Sequence, residues 1–225
     1  MIADNLKSVT QGIARCCEKT RWHPGDVKLI CVTKEANIKE IEEVLALKVK
    51  DIGENRVQDA LIKYRAIGDR AIWHLVGHLQ TNKVKDAVKI FSLIHSIDSI
   101  RLAKEIDKEA EKINKVQDIL VEVNTSGEES KFGITPNDIG AFFKEISLYP
   151  NINILGLMTI APEVNAQDMA RPSFHKLREI GEQLQKLKLA ACGLQLSMGM
   201  SNDFEVAIEE GSTMVRIGRA IFKND

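Results

Sequence analysis

The sequence lacks an excess of either charge, and it has no long apolar segment. Its 31 Lys and Arg residues are balanced by 32 Asp and Glu residues, which leaves a net charge of −1. A chain without a global basic field is poorly suited to hold nucleic acid or an anionic membrane. No apolar run is long enough to span a bilayer, and the segment from Met1 to Lys7 has no apolar signal core. We therefore expect a cytoplasmic protein with neither a nucleic-acid nor a membrane partner.

Cysteine is scarce as well. The four cysteines are an adjacent pair, Cys16 and Cys17, and two isolated residues, Cys31 and Cys192. Their spacing matches neither an extracellular disulfide framework nor a C-x-x-C metal motif. This pattern fits a reducing compartment.

The histidines do not form a metal motif either. His74 and His78 are four residues apart, but a predicted strand end and Gly77 lie between them, so the two rings would not share a helical face. No carboxylate cluster completes a ligand set around them or around His95. We expect no metal site and interpret the three residues as polar or core histidines.

What the sequence does contain is a regular alternation of short apolar, β-branched runs with longer segments of helical periodicity. Such alternation is typical of a parallel sheet wrapped by helices. Eight strands are predicted, at 27–33, 49–52, 72–76, 92–95, 119–124, 154–160, 195–197 and 213–217. Amphipathic crossover helices are predicted between them, among others at 37–47, 56–67, 100–114, 137–148 and 169–187.

Eight β/α units predict a closed (β/α)8 barrel, or TIM barrel, of the α/β class, in one domain spanning residues 1–225. Too few residues follow the eighth strand to form a full outer helix. We expect an N-terminal helix to complete the outer ring, because apolar residues precede the first strand at helical spacing. These residues are Ile2, Leu6, Val9, Ile13 and Cys16. The alternative is an open doubly wound sheet, which normally has fewer strands.

A lysine stands where the chemistry of such a barrel is expected, at the C-terminal end of a strand. Lys34 directly follows the apolar run 29–33. A lysine at this position would lose solvation, which favours the neutral amine that attacks an aldehyde to form an imine. The alternative is a lysine that extends its side chain to water at the strand end.

Two loops at the same end of the barrel could bind an anion. The loop after the seventh strand contains Ser197 and Ser201 and leads into a helical segment, so hydroxyls, main-chain amides and a helix N-terminus could bind phosphate. The loop after the eighth strand contains Arg216, Gly218 and Arg219, and the glycine lets the backbone approach a ligand closely. Helix capping and an ordinary turn are the alternatives.

Two further residues are expected at this barrel mouth. Asn55 follows the second strand and could hydrogen-bond a substituent of an aromatic ring, or cap a helix. Met158 and the neighbouring Thr159 lie near the end of the sixth strand and could line the same opening.

Several blocks of the sequence resemble one protein family, the pyridoxal 5′-phosphate (PLP) homeostasis proteins, also known as the YggS/PROSC family. The similarity runs through nearly the whole chain. The blocks are CVTK at 31–34, GENRVQ at 53–58, WHLVGHLQTNK at 73–83, GLMTIAP at 156–162, LSMGMSND at 196–203 and GSTMVRIG at 211–218.

The resemblance implies a barrel similar to the N-terminal domain of alanine racemase, with PLP held as a Schiff base on Lys34. It also implies that Ser197 and the backbone around Gly218 and Arg219 contact the phosphate, and that Arg216 faces the pyridine nitrogen. An arginine does not readily give up a proton, so it would leave this nitrogen unprotonated and make the cofactor a weak electron sink.

Three functions are compatible with these features. The first is a monomeric homeostasis protein that buffers PLP and passes it to PLP-dependent apoenzymes without turnover. The second is an amino-acid racemase, but the racemases add a C-terminal domain with a catalytic tyrosine, and here Tyr64 and Tyr149 are both in helix or turn contexts. The third is a class I aldolase-like barrel that binds a sugar phosphate through Lys34. The resemblance and Arg216 favour the first.

Overall fold

The structure, a computed structural model, describes residues 1–20, 23–128, 131–162 and 167–223. Eight parallel strands form a closed barrel in chain order, and β8 closes the barrel by pairing with β1. The strands are β1 (Lys28–Val32), β2 (Asp51–Glu54), β3 (Ile72–Leu75), β4 (Leu93–Ile97), β5 (Gln117–Glu122), β6 (Ile152–Met158), β7 (Gln195–Ser197) and β8 (Met214–Ile217). The predicted (β/α)8 barrel is therefore confirmed, and the open sheet is excluded.

Helices surround the barrel. They are α1 (Ile2–Lys19), α2 (Ile38–Ala46), α3 (Val57–Ile67), α4 (Val84–Ile90), α5 (Ile100–Glu111), α6 (Ile139–Ile146), α7 (Arg171–Lys186), α8 (Phe204–Glu209) and α9 (Arg219–Phe222). In the part of the chain that the structure describes, no helix combines the length and the hydropathy needed to cross a bilayer.

The N-terminal helix completes the outer ring, as predicted from its spacing. α1 packs against α8, α9 and α2, and its five predicted apolar positions are all buried. The side-chain amide of Asn5 also donates a hydrogen bond to the carbonyl oxygen of Ile221 at 3.1 Å, which ties α1 to α9. Full burial of each large aliphatic side chain stabilises the fold by roughly 1.5–3 kcal/mol. The short α9 alone could not cover this side of the barrel.

The second strand begins two residues later than predicted. Lys48 has a φ of +70°, and the amide of Val49 bonds back to the carbonyl of Val44, so the turn that follows α2 extends into the predicted strand. The strand instead includes Glu54, whose side chain is fully buried. A buried charged residue does not carry the apolar signal of a strand, because sequence patterns assign charge to the surface.

The turn that joins β1 to α2 is closed by local hydrogen bonds. The amide of Ala36 donates to the carbonyl of Thr33 at 2.9 Å. Asn37 caps α2: its side chain accepts from the amide of Glu40 at 3.1 Å, and the Glu40 carboxylate accepts from the amide of Asn37 at 2.7 Å. This reciprocal capping box places the N-cap of α2 three residues beyond Lys34.

Candidate functional site

A cavity of about 430 Å³ opens at the C-terminal ends of the strands, and we call it the mouth cavity. Its volume lies within the range of roughly 300–1,000 Å³ that is usual for small-molecule sites. Its lining comes from β1, from β8 and from the segments that follow β1, β2, β3, β6, β7 and β8. The lining residues are Val32, Lys34, Glu35, Asn55, Val76, Ile160, Met200, Ser201, Arg216, Gly218, Arg219 and Lys223.

Lys34 projects into the mouth cavity from the turn after β1. Its side chain is 45% exposed, and its Nζ lies 3.7 Å from Oε1 of Glu35. The expected loss of solvation is therefore wrong: the strand ends at Val32, so the lysine stands beyond the buried part of the barrel. The amine is open to solvent and to a ligand in the cavity.

Beneath Lys34 a buried cluster fixes the ends of two strands. The Thr33 hydroxyl donates to Oε1 of Glu54 at 2.5 Å. Lys63 of α3 donates to the same oxygen at 2.8 Å and to the carbonyl of Thr33 at 2.6 Å. Glu54 is fully buried, and the Lys63 side chain is 12% exposed. Sequence reasoning missed this cluster, which joins residues 9 to 30 positions apart along the chain.

Arg216, on β8 next to β1, provides a buried positive charge in the lining of the mouth cavity. It is 4% exposed. Its Nη1 donates to the hydroxyl of Ser197 at 2.7 Å, and its Nη2 donates to the carbonyl of Thr159 at 2.9 Å. Burial lowers the pKa of Arg216 to about 10, so the guanidinium remains charged at neutral pH.

The loops after β7 and β8 meet on one side of the cavity. The hydroxyl of Ser201 accepts a hydrogen bond from the amide of Ala220 at 3.3 Å, and Arg219 is exposed beside it. A Cβ atom on Gly218 would lie 2.9 Å from the carbonyl oxygen of Val32. Only glycine fits where β8 approaches β1 this closely. Because Gly218 has no side chain, its backbone is open to the cavity. This side of the cavity therefore combines a hydroxyl with a cationic side chain.

The cavity lining includes most of the predicted site residues but not all. The predicted residues that line the mouth cavity are Lys34, Asn55, Ser201, Arg216, Gly218 and Arg219.

Met158 and Ser197 do not. Met158 is fully buried among the apolar side chains inside the barrel. Ser197 is also fully buried, and its hydroxyl is hydrogen-bonded to Arg216 and His95. Both residues end strands, but their side chains are buried below the opening.

A second, smaller cavity of about 160 Å³ adjoins the mouth cavity across Ile160. It contains Glu122, the last residue of β5, which is 6% exposed. Burial, followed by the nearby charge of Asp98, raises the pKa of Glu122 to about 7, although Arg216 opposes this shift. Sequence reasoning missed this acid, because it occupies a strand position that the apolar pattern marks only as core.

Over the described residues, no three His, Cys, Asp or Glu side chains are grouped so that they could hold a metal ion. His78 instead lies 3.3 Å from the Asp98 carboxylate and stacks on Phe132 at a ring distance of 3.9 Å.

Comparison with known proteins identifies the family. The family model described as alanine racemase, N-terminal domain, matches residues 6–225. The pyridoxal phosphate homeostasis protein of Aquifex aeolicus is 45% identical over 220 residues, which cover 97% of this chain and 96% of that protein. The pyridoxal phosphate homeostasis protein of Pseudomonas aeruginosa is 36% identical, and the match covers 98% of this chain and 94% of that protein.

A solved structure agrees with these relatives. PipY of Synechococcus elongatus PCC7942, determined with PLP bound, superposes with a TM-score of 0.85 at 32% identity, and the match covers 99% of this chain and all of PipY. The sequence matches and the shared barrel point to one group of proteins. This chain belongs to the pyridoxal phosphate homeostasis protein family.

Proposed function

We propose that residues 1–225 form a single domain that binds PLP in the mouth cavity through a Schiff base to Lys34. In the cell this domain would buffer PLP and deliver it to apoenzymes. The observation that carries the proposal is that an accessible amine, Lys34, and a buried guanidinium, Arg216, line the same cavity.

The residues of the cavity fit the chemical groups of PLP. The cofactor supplies an aldehyde, and Lys34 offers the amine that can condense with it. Ser201, Arg219 and the open backbone at Gly218 offer a hydroxyl, a cation and close approach to a phosphate group. Arg216 offers a fixed donor to the pyridine nitrogen, and Asn55 offers an amide to a ring substituent.

The structure suggests a different role for Ser197 from the one that the sequence predicted. Its hydroxyl is hydrogen-bonded to Arg216 and shielded from the mouth cavity, so we propose that it orients the guanidinium and that Ser201 takes the phosphate. Met158 would support the floor of the site from the barrel core.

Two features favour reversible binding over catalysis. The Lys34 side chain is 45% exposed, so an incoming amine or water can reach a ligand bonded to it. The mouth-cavity lining contains no tyrosine, histidine or cysteine within the described residues. Tyr64, on α3, donates a hydrogen bond to Asp69 and lies against Trp73, outside this lining. Among the described residues, the cavity wall therefore offers no tyrosine comparable to the catalytic tyrosine of a racemase.

The test is to add PLP to the purified chain and to its Lys34→Ala and Lys39→Ala variants. Lys39 is an exposed lysine on α2 and serves as the matched control. The wild type and Lys39→Ala should show a visible absorption band that borohydride abolishes, with the reduced label mapped to Lys34. Lys34→Ala should show no band. The same samples, analysed by sedimentation, would check the predicted monomer.

Labels scattered over surface lysines, or a band that survives in Lys34→Ala, would refute the PLP site. Rapid racemisation of an amino acid by the loaded wild type would instead refute the absence of turnover. Transfer of PLP from the loaded chain to a PLP-dependent apoenzyme, measured by recovered apoenzyme activity, tests the delivery role.

A further inference from the structure

A continuous line of polar side chains runs through the barrel interior beneath the mouth cavity. Nε2 of His74 lies 3.0 Å from Oδ1 of Asp51, and Nδ1 of His74 lies 3.0 Å from Nε2 of His95. Nδ1 of His95 lies 2.9 Å from the hydroxyl of Ser197, which in turn accepts from Nη1 of Arg216 at 2.7 Å. Each side chain in this line, which we call the relay, is within hydrogen-bond distance of the next.

The relay connects the two ends of the barrel. Asp51 is the first residue of β2, is 19% exposed, and lies 3.2 Å from Nζ of Lys28, the first residue of β1. At the other end, Arg216 lines the mouth cavity. The two histidines between them are 2% and 0% exposed. Solvent therefore reaches the relay at the N-terminal opening of the barrel, whereas the histidines are shielded from it.

Burial favours the neutral form of both histidines. It lowers the pKa of His74 despite the opposing effect of Asp51. It lowers the pKa of His95 further, and the charges of His74, Arg216 and Lys28 act in the same direction. Burial raises the pKa of Asp51, but its hydrogen bond to His74 and the charge of Lys28 outweigh this and lower the pKa overall.

With neutral histidines the relay has one consistent direction. The Asp51 carboxylate can only accept, so His74 donates from Nε2 and must accept at Nδ1. His95 then donates from Nε2 and accepts at Nδ1 from the hydroxyl of Ser197. The Ser197 oxygen is left to accept from Arg216, which can only donate. Every link therefore pairs one donor with one acceptor, and both histidines are Nε2–H tautomers.

Net uptake of one proton, held at Nδ1 of His74, would reverse this direction, and the proton of His95 would move from Nε2 to Nδ1. A protonated His74 donates from both nitrogens, so His95 must accept at Nε2 and donate from Nδ1 to Ser197. The Ser197 oxygen then accepts from both His95 and Arg216, and the hydroxyl hydrogen of Ser197 points away from the relay. No heavy atom has to move, yet the hydrogen-bond environment of the guanidinium changes.

We propose that His74 and His95 are positioning residues that hold Arg216 through Ser197 and transmit the protonation state of His74 to the mouth cavity. The functional part of this inference rests on the proposed PLP site, where Arg216 faces the cofactor. Besides the relay, Glu122 on β5 and Asp203 in the loop after β7 act electrostatically on Arg216.

The first experiment uses the chain without PLP and records the ring nitrogens of the histidines by ¹⁵N NMR at neutral pH. The relay requires His74 and His95 to be neutral and protonated at Nε2. A neutral ring protonated at Nδ1, or a charged ring at either position, would overturn it. This readout does not depend on cofactor binding.

The second experiment tests transmission with Asp51→Asn, because the amide oxygen can still accept from His74 while the charge is removed. Asp86→Asn, on the exposed face of α4, is the matched control. We measure the pH midpoint of His74 by NMR and the pH midpoint of the visible spectrum of the PLP-loaded chain. Both midpoints should fall together in Asp51→Asn and stay unchanged in Asp86→Asn. A spectral midpoint that stays constant while that of His74 moves would overturn transmission.

The third experiment tests positioning at His95. His95→Asn keeps a polar atom near the position of Nδ1 and can still pair with Ser197, whereas His95→Phe removes this partner. We expect PLP binding to weaken on the order of tenfold in His95→Phe and to recover in His95→Asn. Unchanged affinity in a folded His95→Phe would overturn the positioning role, and if this variant does not fold, Asp51→Asn and the NMR result remain decisive. Failure of the wild type to bind PLP would refute the proposed function, while the NMR result would still decide whether the relay exists.

Discussion

Thr33 and Glu54 are joined by a fully buried hydrogen bond of 2.5 Å, one residue before Lys34. Lys63 completes the cluster by donating to both residues, so a single ion pair ties the ends of β1 and β2 to α3. The strand ends that carry Lys34 and Asn55 are therefore fixed by charge and hydrogen bonding as well as by apolar packing.

Removing the cation of this cluster, Lys63, should destabilise the fold. In Lys63→Met the Glu54 carboxylate stays buried without its partner, and we expect a loss of about 3–5 kcal/mol in the free energy of unfolding. Urea denaturation measures this loss, with Lys39→Met as the exposed control. Adding Glu54→Gln to Lys63→Met should recover most of the loss, because no buried charge remains. A loss below about 1 kcal/mol in the single variant would contradict this account.

Gly77 allows the segment after β3 to pass close to Asn55. A Cβ atom on Gly77 would lie 2.3 Å from the backbone oxygen of Asn55, a distance that the backbone must relieve by moving. Gly77→Ala should therefore displace Asn55 and weaken PLP binding, measured by spectroscopic titration. Gly25→Ala, where a Cβ atom meets nothing within 4 Å, is the control and should bind as the wild type does. Equal affinity in both variants would show that the position of Asn55 is unimportant.

Glu122 should destabilise the chain at alkaline pH. Its folded-state pKa is raised from 4.5 to about 7, so its stabilising contribution is fully present below pH 4.5 and is lost as the pH rises through 7. Glu122→Gln removes this cost, and we expect it to be more stable than the wild type by about 2–3 kcal/mol near pH 8. Urea denaturation at several pH values tests this, with the exposed Glu111→Gln as control. An advantage that does not change with pH would contradict the assigned cause.

The relay histidines should affect the pH dependence of stability in the direction opposite to Glu122. Their folded-state pKa values lie below the ordinary histidine value of 6.5, so their contribution to stability is present above pH 6.5 and is lost as the pH falls towards the folded-state values. We expect thermal stability to fall on acidification, and the effect should be clearest in the Glu122→Gln background, where the opposing carboxyl is absent. In that background, His95→Asn should show a weaker pH dependence. An identical pH dependence with and without His95 would contradict this prediction.

The amino-acid pattern predicted most of the architecture. The period of the apolar residues marked eight strands and five of the helices, and the spacing from Ile2 to Cys16 predicted the N-terminal helix that packs on α8 and α9. Such periodicity is local, because each amphipathic segment records which of its faces is buried. Boundaries were less well predicted where a charged residue such as Glu54 is buried, since its partner Lys63 belongs to another element.

The residues of the candidate site were also predicted only in part. The rule that barrel chemistry lies at the C-terminal ends of strands was enough to select Lys34, Asn55, Ser201, Arg216 and Gly218, all of which line one cavity.

The depth at which a side chain lies within the barrel could not be derived from its position at a strand end. Ser197 and Met158 end their strands yet lie beneath the opening, because the closed barrel turns their side chains inward.

The sequence by itself determined the barrel and the set of residues at its mouth, because strand periodicity and strand ends are properties of contiguous segments. Only the tertiary structure decided the solvent exposure of Lys34, the burial of Glu122, and the line from Asp51 through His74 and His95 to Arg216. These features depend on closure of the barrel, which brings together side chains from distant segments and removes water from between them. Desolvation and hydrogen bonding between such residues then set their charges.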